Sequence, residues 1–223
     1  MVSGDYKPQA DRTCEPFELV SCHGFISECT FGLPVYRWQP EEEIYDQINR
    51  WWKHNKDSGQ GSLVFAYSLG KAQRILAGLD PSIGLIYAHS AVHPFLEHYQ
   101  NAGISLPEIK KIEKDTVIAE GMVIAPPAVE DSSWMKKFRR VKRGFASGWM
   151  AIRGPRRRKN IDRGFVLSDH ADWPGLIDVI TGTGAEVVKL THGNGDALSR
   201  FLGEKGINAS VLNESSFREE ELD

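Results

Sequence analysis

Short apolar segments alternate with helix-like segments through most of this chain, and this alternation constrains the fold more than any other feature. The strand pattern at residues 63–67 is followed by a helical pattern at 72–79. A second strand pattern at 84–88 is followed by a helical one near 94–101. Strands that alternate with helices pack as a parallel sheet with helices on both faces. The sequence therefore predicts an α/β fold.

The same alternation extends over the rest of the chain. Ile44, Ile48 and the Trp51-Trp52 pair have helical spacing, and the glutamates at 41–43 suit the positive end of that helix. A helix at 173–181 has Asp172 as a suitable N-cap and Pro174 in its first turn. The other predicted strands cover residues 25–28, 117–119, 122–125, 145–152, 164–167, 186–190 and 208–212, and the other predicted helices cover 133–141 and 196–205.

Composition sets the broad class of the protein. The chain has 223 residues, of which 41% are hydrophobic, and a net charge of −3, so it can form one or two domains with a real core. Its cysteines, Cys14, Cys22 and Cys29, are odd in number and lack C-x-x-C spacing, which argues against a disulfide framework or a zinc knuckle. No secretory leader or apolar stretch of about 18 residues occurs. We expect a globular, cytoplasmic protein without a membrane segment.

Polar residues directly follow three of the apolar segments. Asp5 follows Val2, His170 follows the strand at 164–167, and His192 follows the strand at 186–190. In α/β proteins, ligand-binding groups gather at the carboxyl ends of strands, and Asp and His bind zinc or transfer protons. A single His is more often a capping or hydrogen-bonding residue. The arrangement of all three together is what indicates a site.

Four motifs occur in a characteristic order: Ser3-Gly4-Asp5, Glu28-Cys29-Thr30-Phe31-Gly32, Ser168-Asp169-His170-Ala171-Asp172 and Thr191-His192-Gly193. In order and spacing they resemble the motifs of β-CASP nucleases of the metallo-β-lactamase fold. Within that family, the nearest likeness is to the bacterial DNA-ligase-associated exonucleases, which are similar to mRNA 3′-end processing factors. Residues 67–73 and 145–150 extend the resemblance over nearly the whole chain.

The resemblance implies a partial metallo-β-lactamase αββα sandwich with an inserted parallel α/β cap, the β-CASP domain. Residues 1–39 and 151–223 would form the sandwich, and residues 40–150 the cap. The family pattern also contains an H-x-H-x-D-H run and a further His upstream of the Ser-Gly-Asp motif, and this sequence has neither. We therefore expect the N-terminal metal-binding part to be missing and the fragment to be inactive.

The same resemblance implies roles for individual residues. Asp5 would bridge two metal ions, zinc or manganese, which together clamp the phosphate and activate water. His192 would complete the shell of the second ion, and Glu28 would orient a ligand or the site water. His170 would stabilise the phosphate or protonate the leaving oxygen, which suits an imidazole near neutral pH. The residues that would bind the substrate phosphate are Ser168, Ser147, Gly148 and Lys71. For Gly70-Lys71, plain helix capping is an equally good explanation.

A basic stretch lies within residues 134–163 of this otherwise acidic chain. It predicts contact with a nucleic-acid backbone, and a solvated basic helix and loop is the alternative. Trp134, Phe138 and Trp149 are interleaved with the basic residues, and they either stack on bases or pack in the core. The predicted backbone-binding residues are Lys136, Lys137, Arg139, Arg140, Lys142, Arg143, Arg156, Arg157 and Arg158.

The predicted function is that of a metal-dependent phosphodiesterase, an exonuclease acting on single-stranded DNA or RNA. The resemblance also implies functional association with a DNA ligase and a helicase. One alternative is a non-catalytic nucleic-acid-binding module that has lost its metal site. Another is a small-molecule metallohydrolase, which the basic stretch and the cap disfavour.

Overall fold

A computed structural model of the chain describes residues 1–113, 116, 118–138, 140–152 and 161–212. All strand pairs in these residues are parallel, and they form two sheets with helices between the strands. The predicted α/β class with parallel sheets is confirmed. Within the same residues, no helix is both long and apolar enough to span a membrane.

The strands of the described residues are β1 (Gly24–Glu28), β2 (Gly61–Phe65), β3 (Ile86–Ala88), β4 (Ile109–Lys111), β5 (Met122–Ala125), β6 (Val141–Ala146), β7 (Arg163–Phe165), β8 (Val187–Thr191) and β9 (Asn208–Val211). The α-helices are α1 (Glu41–Asp57), α2 (Lys71–Ala77), α3 (Leu96–Asn101), α4 (Trp173–Gly182) and α5 (Asp196–Glu204). Short 3₁₀ helices span His93–Phe95, Pro127–Val129, Ser133–Lys137 and Gly148–Ala151.

The described residues form two compact units. The first unit comprises those of Met1–Ala10, Pro16–Arg37 and Asp169–Asp223, and it contains a three-stranded sheet in the order β1-β8-β9. The second unit comprises those of Asp11–Glu15 and Trp38–Ser168, and it contains a six-stranded sheet in the order β4-β3-β5-β2-β6-β7.

The second unit ends later than the predicted cap. The sequence places a boundary between residues 150 and 151, whereas the second unit extends to Ser168. The physical reason is strand pairing, because β7 hydrogen-bonds in parallel with β6 and thereby completes the six-stranded sheet. The longer segment of the second unit begins at Trp38, close to the predicted boundary between residues 39 and 40.

The six-stranded sheet is buried on both faces. Every residue of the central strands β2 and β5 is buried, as expected for parallel strands covered by helices on either side. One face packs against Ile44, Ile48 and Trp52 of α1, so the predicted amphipathic helix is confirmed. Residues of that face include Val64, Ala66, Met122 and Ile124, and residues of the opposite face include Leu63, Phe65, Val123 and Ala125.

The three-stranded sheet of the first unit packs against α4 and α5. Phe25, Val188 and Leu190 from the strands meet Leu176 and Leu198 from the helices in one core. The cap of α4 is as predicted, because the side chain of Asp172 accepts a hydrogen bond of 3.0 Å from the backbone N–H of residue 175, and a proline lies in the first turn.

The sequence prediction is wrong around β6. The predicted helix at 133–141 is a 3₁₀ helix that ends at Lys137, and the chain then enters β6 at Val141. The predicted strand at 145–152 ends at Ala146 and continues as the 3₁₀ helix Gly148–Ala151. The amino half of β6 is basic and does not follow an apolar strand pattern, and it is extended because it pairs with β2 over its whole length.

Two further differences concern the edge of the sheet. Ile118 and Ala119 are not in a strand, whereas Val117 lies outside the described residues. One of the two edge strands is β4, which the sequence did not predict because two of its three residues are lysines. Charged residues are common on edge strands, where they discourage pairing with other chains.

Candidate functional site

Glu28 is fully buried at the carboxyl end of β1, and its carboxylate faces His170. Nδ1 of His170 lies 3.0 Å from Oε1 and 3.1 Å from Oε2 of Glu28. The backbone N–H of Tyr6 donates to Oε1 at 3.3 Å, and that of Thr30 donates to Oε2 at 3.1 Å. Donors therefore occupy both oxygens, and the edge of Phe31 contacts the imidazole at a centroid distance of 5.8 Å. The imidazole is held in one orientation.

The charge of Glu28 determines which nitrogen of His170 carries the proton. Burial is the largest influence on the pKa of Glu28 and raises it, but the hydrogen bonds from His170 and Thr30 and the attraction to His170 together lower that pKa below its ordinary value. Glu28 is therefore ionised at neutral pH and only accepts hydrogen bonds. We infer that Nδ1 of His170 is protonated, which leaves Nε2 as the nitrogen that exchanges protons.

Asp5 is the third member of this group. Its carboxylate lies 3.9 Å from Nδ1 of His170, and its side chain is 63% exposed. Val2 forms a parallel bridge with Ile26, and Gly4 has a φ of +63°, so the chain turns at Gly4 and brings Asp5 toward the end of β1. The ligand atoms of Asp5, Glu28 and His170 all lie within 4.8 Å of one another. The structure therefore brings together three of the four residues predicted for the site.

These three residues do not by themselves complete a zinc site. A catalytic zinc ion takes about three protein ligands, and two ions take more. Both oxygens of Glu28 already accept hydrogen bonds, so a metal bound there would displace the imidazole or a backbone N–H. Asp5 is the one carboxylate of the group that is largely exposed. Two zinc or manganese ions would need ligands beyond this group.

His192, the fourth predicted residue, lies on the loop after β8. Glu28 pairs with Thr191 in the register of β1 and β8, so His192 follows the neighbouring strand end. It is exposed and has a φ of +55°, a left-handed conformation that is strained for a residue other than glycine and is frequent at functional sites. A Cβ on Gly193 would lie 2.2 Å from the carbonyl oxygen of Cys29, so this loop packs tightly against the end of β1. His192 is not a member of the group Asp5, Glu28 and His170, whose ligand atoms all lie within 4.8 Å of one another.

The residues predicted to bind substrate phosphate all lie in the second unit. Ser147 and Gly148 follow β6 and Lys71 follows β2, and because these two strands are neighbours, the three residues lie at the same edge of the sheet. Lys71 is buried, with its Nζ 4.7 Å from the centroid of the Tyr67 ring. Ser147 accepts a hydrogen bond of 3.3 Å from the backbone N–H of residue 149, so it caps the 3₁₀ helix that follows.

Ser168 is buried, and its carbonyl accepts a hydrogen bond of 2.7 Å from Nη1 of Arg74. Nε of Arg74 lies 2.9 Å from Glu41 and 3.3 Å from Asp11. This buried ion-pair network, Asp11, Glu41 and Arg74, holds the carbonyl of Ser168 at the end of the second unit. Sequence reasoning missed Arg74, because a single arginine in a helical pattern is not distinguishable from a surface residue.

The basic residues predicted to bind a nucleic-acid backbone are placed differently. Lys136, Lys137, Arg140, Lys142 and Arg143 lie before β6 or in its amino half, and four further residues, Arg139, Arg156, Arg157 and Arg158, lie outside the described residues. Lys142 pairs with Asp162 at 2.9 Å. Because a strand rises about 3.3 Å per residue, the basic group lies on the order of 15 Å along β6 from the phosphate-binding candidates at its carboxyl end.

The three aromatic residues of the basic stretch have different environments. Trp134 and Phe138 contact each other at a centroid distance of 4.4 Å, and both pack against the core on one face of the six-stranded sheet. For these two residues, the core-packing alternative is confirmed. Trp149 is 45% exposed.

The fold and the site define an α/β protein of parallel sheets with a buried carboxylate–histidine pair at a strand end. No protein-family profile matches the chain. The chain is 27% identical over 216 residues, 97% of its length, to a protein of Opitutus terrae named a probable DNA ligase, and it spans 21% of the length of that relative. A crystal structure of a protein of unknown function from Enterococcus faecalis shares the fold, with a TM-score of 0.53 and 14% identity over 87% of this chain and 51% of that one.

Proposed function

We propose that this chain contributes the proton-transfer pair of a metal-dependent phosphodiesterase of the β-CASP type, an exonuclease that acts on single-stranded DNA or RNA. The contact between Glu28 and Nδ1 of His170 carries the proposal. A buried, ionised carboxylate that holds one nitrogen of a histidine leaves the other nitrogen oriented for acid–base catalysis.

The proton transfer follows from this geometry. The ring of His170 approaches substrate through Nε2, because Nδ1 is bonded to Glu28. As water adds to phosphorus and loses a proton to solvent, the P–O bond to the leaving oxygen breaks. Protonated Nε2 gives its proton to that oxygen, and the neutral imidazole keeps the Nδ1–H bond to Glu28. The negative charge of Glu28 stabilises the imidazolium before the transfer. The group of Asp5, Glu28 and His170 supplies too few ligands to hold two ions by itself.

Two comparisons support a role on nucleic acid. The four motifs that contain Asp5, Glu28, His170 and His192 occur in the order typical of β-CASP nucleases. The relative from Opitutus terrae is named a probable DNA ligase, which suggests DNA metabolism. The functional association with a ligase and a helicase that the motif resemblance implies is part of the same proposal. In this proposal, residues 1–39 and 151–223 belong to the metallo-β-lactamase sandwich and residues 40–150 to the β-CASP cap.

The first test is metal content together with cleavage of single-stranded DNA and RNA. Both are measured for this chain and for a version extended upstream through the natural reading frame. We expect the extended protein to hold about two zinc or manganese ions and to cleave, and His170→Ala in that protein to abolish cleavage. The proposal is wrong if neither form holds metal, or if His170→Ala cleaves as fast as the wild type.

A second candidate function is a non-catalytic module that binds nucleic acid. It is favoured by the small number of ligands in the group of Asp5, Glu28 and His170. In that case both forms of the protein bind single-stranded oligonucleotides and neither cleaves them at any zinc or manganese concentration. Binding should then weaken steeply with salt, because phosphate contacts release counterions.

A further inference from the structure

We propose that Tyr67 and Trp149 form a stacking site for an unpaired nucleobase at the carboxyl edge of the six-stranded sheet. The inference rests on the proposed function for the class of its ligand, a single-stranded nucleic acid. It adds a base-binding site in the second unit, distinct from the basic residues before and in the amino half of β6.

The topology of the sheet places a switch point at this position. In the order β4-β3-β5-β2-β6-β7, the neighbours β2 and β6 are central strands. The strand that follows β2 in sequence, β3, lies on one side of the pair, and the strand that follows β6, β7, lies on the other side. The chain therefore leaves the two neighbouring strands in opposite directions. In open parallel sheets, such a point outside the carboxyl ends is where ligands bind.

The side chains at this point are large, apolar and exposed. Phe65 and Ala66 at the end of β2 are fully buried, yet Tyr67 is 63% exposed and Leu69 is 59% exposed. Likewise, Ala146 at the end of β6 is buried, and Trp149 is 45% exposed. After both neighbouring strands, the side chains thus change from buried to exposed within three residues of the strand end. Aromatic rings that remain exposed at a ligand-binding edge are the side chains on which single-stranded bases stack.

Local contacts restrain the ring of Tyr67 and the backbone of Trp149. Nζ of Lys71 lies 4.7 Å from the centroid of the Tyr67 ring, a cation–π contact that restricts the ring. Ser147 caps the backbone N–H of Trp149, and its own N–H donates to the carbonyl of Phe165 on β7 at 3.0 Å. A restrained ring loses little conformational entropy when a base stacks on it. A planar base is therefore a better occupant than a flexible aliphatic side chain of another protein.

The test measures binding of a short oligothymidylate to the full chain in EDTA, so that cleavage does not contribute. An abasic oligonucleotide of the same length presents the same phosphates without bases. The variants are Tyr67→Leu and Trp149→Leu. The matched control is Leu85→Ala, because Leu85 is 52% exposed in the same unit but precedes β3, at the opposite edge of the sheet.

We expect the abasic strand to bind more weakly than oligothymidylate, and each aromatic variant to lose about 5- to 100-fold in affinity for oligothymidylate. The control should stay within about twofold of the wild type. Tryptophan fluorescence should be quenched by oligothymidylate in the wild type and much less in Trp149→Phe.

Equal binding of the two oligonucleotides, wild-type affinity in both aromatic variants, or no binding of oligothymidylate would each overturn the stacking site. These results would not decide the nuclease proposal, which is tested by metal content and by the effect of His170→Ala. Conversely, base-dependent binding that the variants lose supports the stacking site even if the extended protein never cleaves.

Discussion

Replacing Glu28 by glutamine tests whether the carboxylate holds the site together. In the wild type, the two oxygens accept hydrogen bonds from Tyr6, Thr30 and His170. A glutamine of the same shape has one acceptor oxygen and one NH₂ donor, so at least one backbone N–H faces another donor. An unsatisfied buried N–H costs about 1–3 kcal/mol, and the remaining bonds weaken because the acceptor is no longer charged. We expect Glu28→Gln to lower the free energy of unfolding of the first unit by about 2–4 kcal/mol.

The same substitution should move the proton of His170. Glutamine removes the negative charge that favours a proton on Nδ1, and where its NH₂ donates to Nδ1 the neutral imidazole carries its proton on Nε2 instead. The ¹⁵N chemical shifts of the imidazole report this change of tautomer. The matched control is Asp5→Asn, because Asp5 is 63% exposed and 3.9 Å from Nδ1. This variant should change stability by less than about 0.5 kcal/mol and leave the proton on Nδ1.

Stability is best measured by urea titration followed through NMR signals of β1 and β8, because these report on the first unit alone. If Glu28→Gln unfolds at the wild-type urea concentration and the His170 proton stays on Nδ1, the carboxylate does not hold the imidazole, and the proton-transfer role fails.

The pH dependence of stability is a second measurement. The pKa of Glu28 is below its ordinary value of 4.5, so its contribution is complete above that value and is lost as the pH falls through the folded-state pKa. The stability difference between wild type and Glu28→Gln should therefore shrink on acidification below pH 4.5.

Three other predictions follow from buried contacts. Arg74→Met leaves two buried carboxylates without their cation and should destabilise the second unit by about 3–5 kcal/mol in a urea titration. An unchanged unfolding midpoint would mean that the ion pairs are solvated. Gly193→Ala places a Cβ 2.2 Å from a backbone oxygen and should cost at least about 2 kcal/mol, whereas Gly203→Ala, in α5 with open space around it, should stabilise by about 0.5–1 kcal/mol. Burial, with the nearby carboxylates, raises the pKa of Cys29 to about 11, so at about pH 8 a disulfide reagent should modify exposed Cys14 and reach Cys29 only after unfolding.

Local sequence patterns predicted the elements whose formation depends on local chemistry. Helix α1 has its acidic first turn and its apolar face at helical spacing, and α4 has the Asp172 cap and a proline in its first turn. The strand at 122–125 and the strand predicted at 63–67, which spans Gly61–Phe65 in the structure, were found because central parallel strands are largely apolar. The order of four polar motifs identified Asp5, Glu28 and His170 as candidates for one site, and their ligand atoms lie within 4.8 Å of one another.

The sequence by itself determined the α/β class and the residue types available at the strand ends, because periodicity, capping and strand-end chemistry are short-range properties of the chain. Tertiary structure alone decided the rest. The basic amino half of β6 is extended because β2 pairs with it, and the same pairing places Lys142 far from Ser147 although they are close in sequence. Glu28 orients His170, 142 positions away, because the fold brings two backbone N–H groups and an imidazole to one buried carboxylate. A buried charge is stable only where such donors converge, and that convergence depends on packing between distant segments.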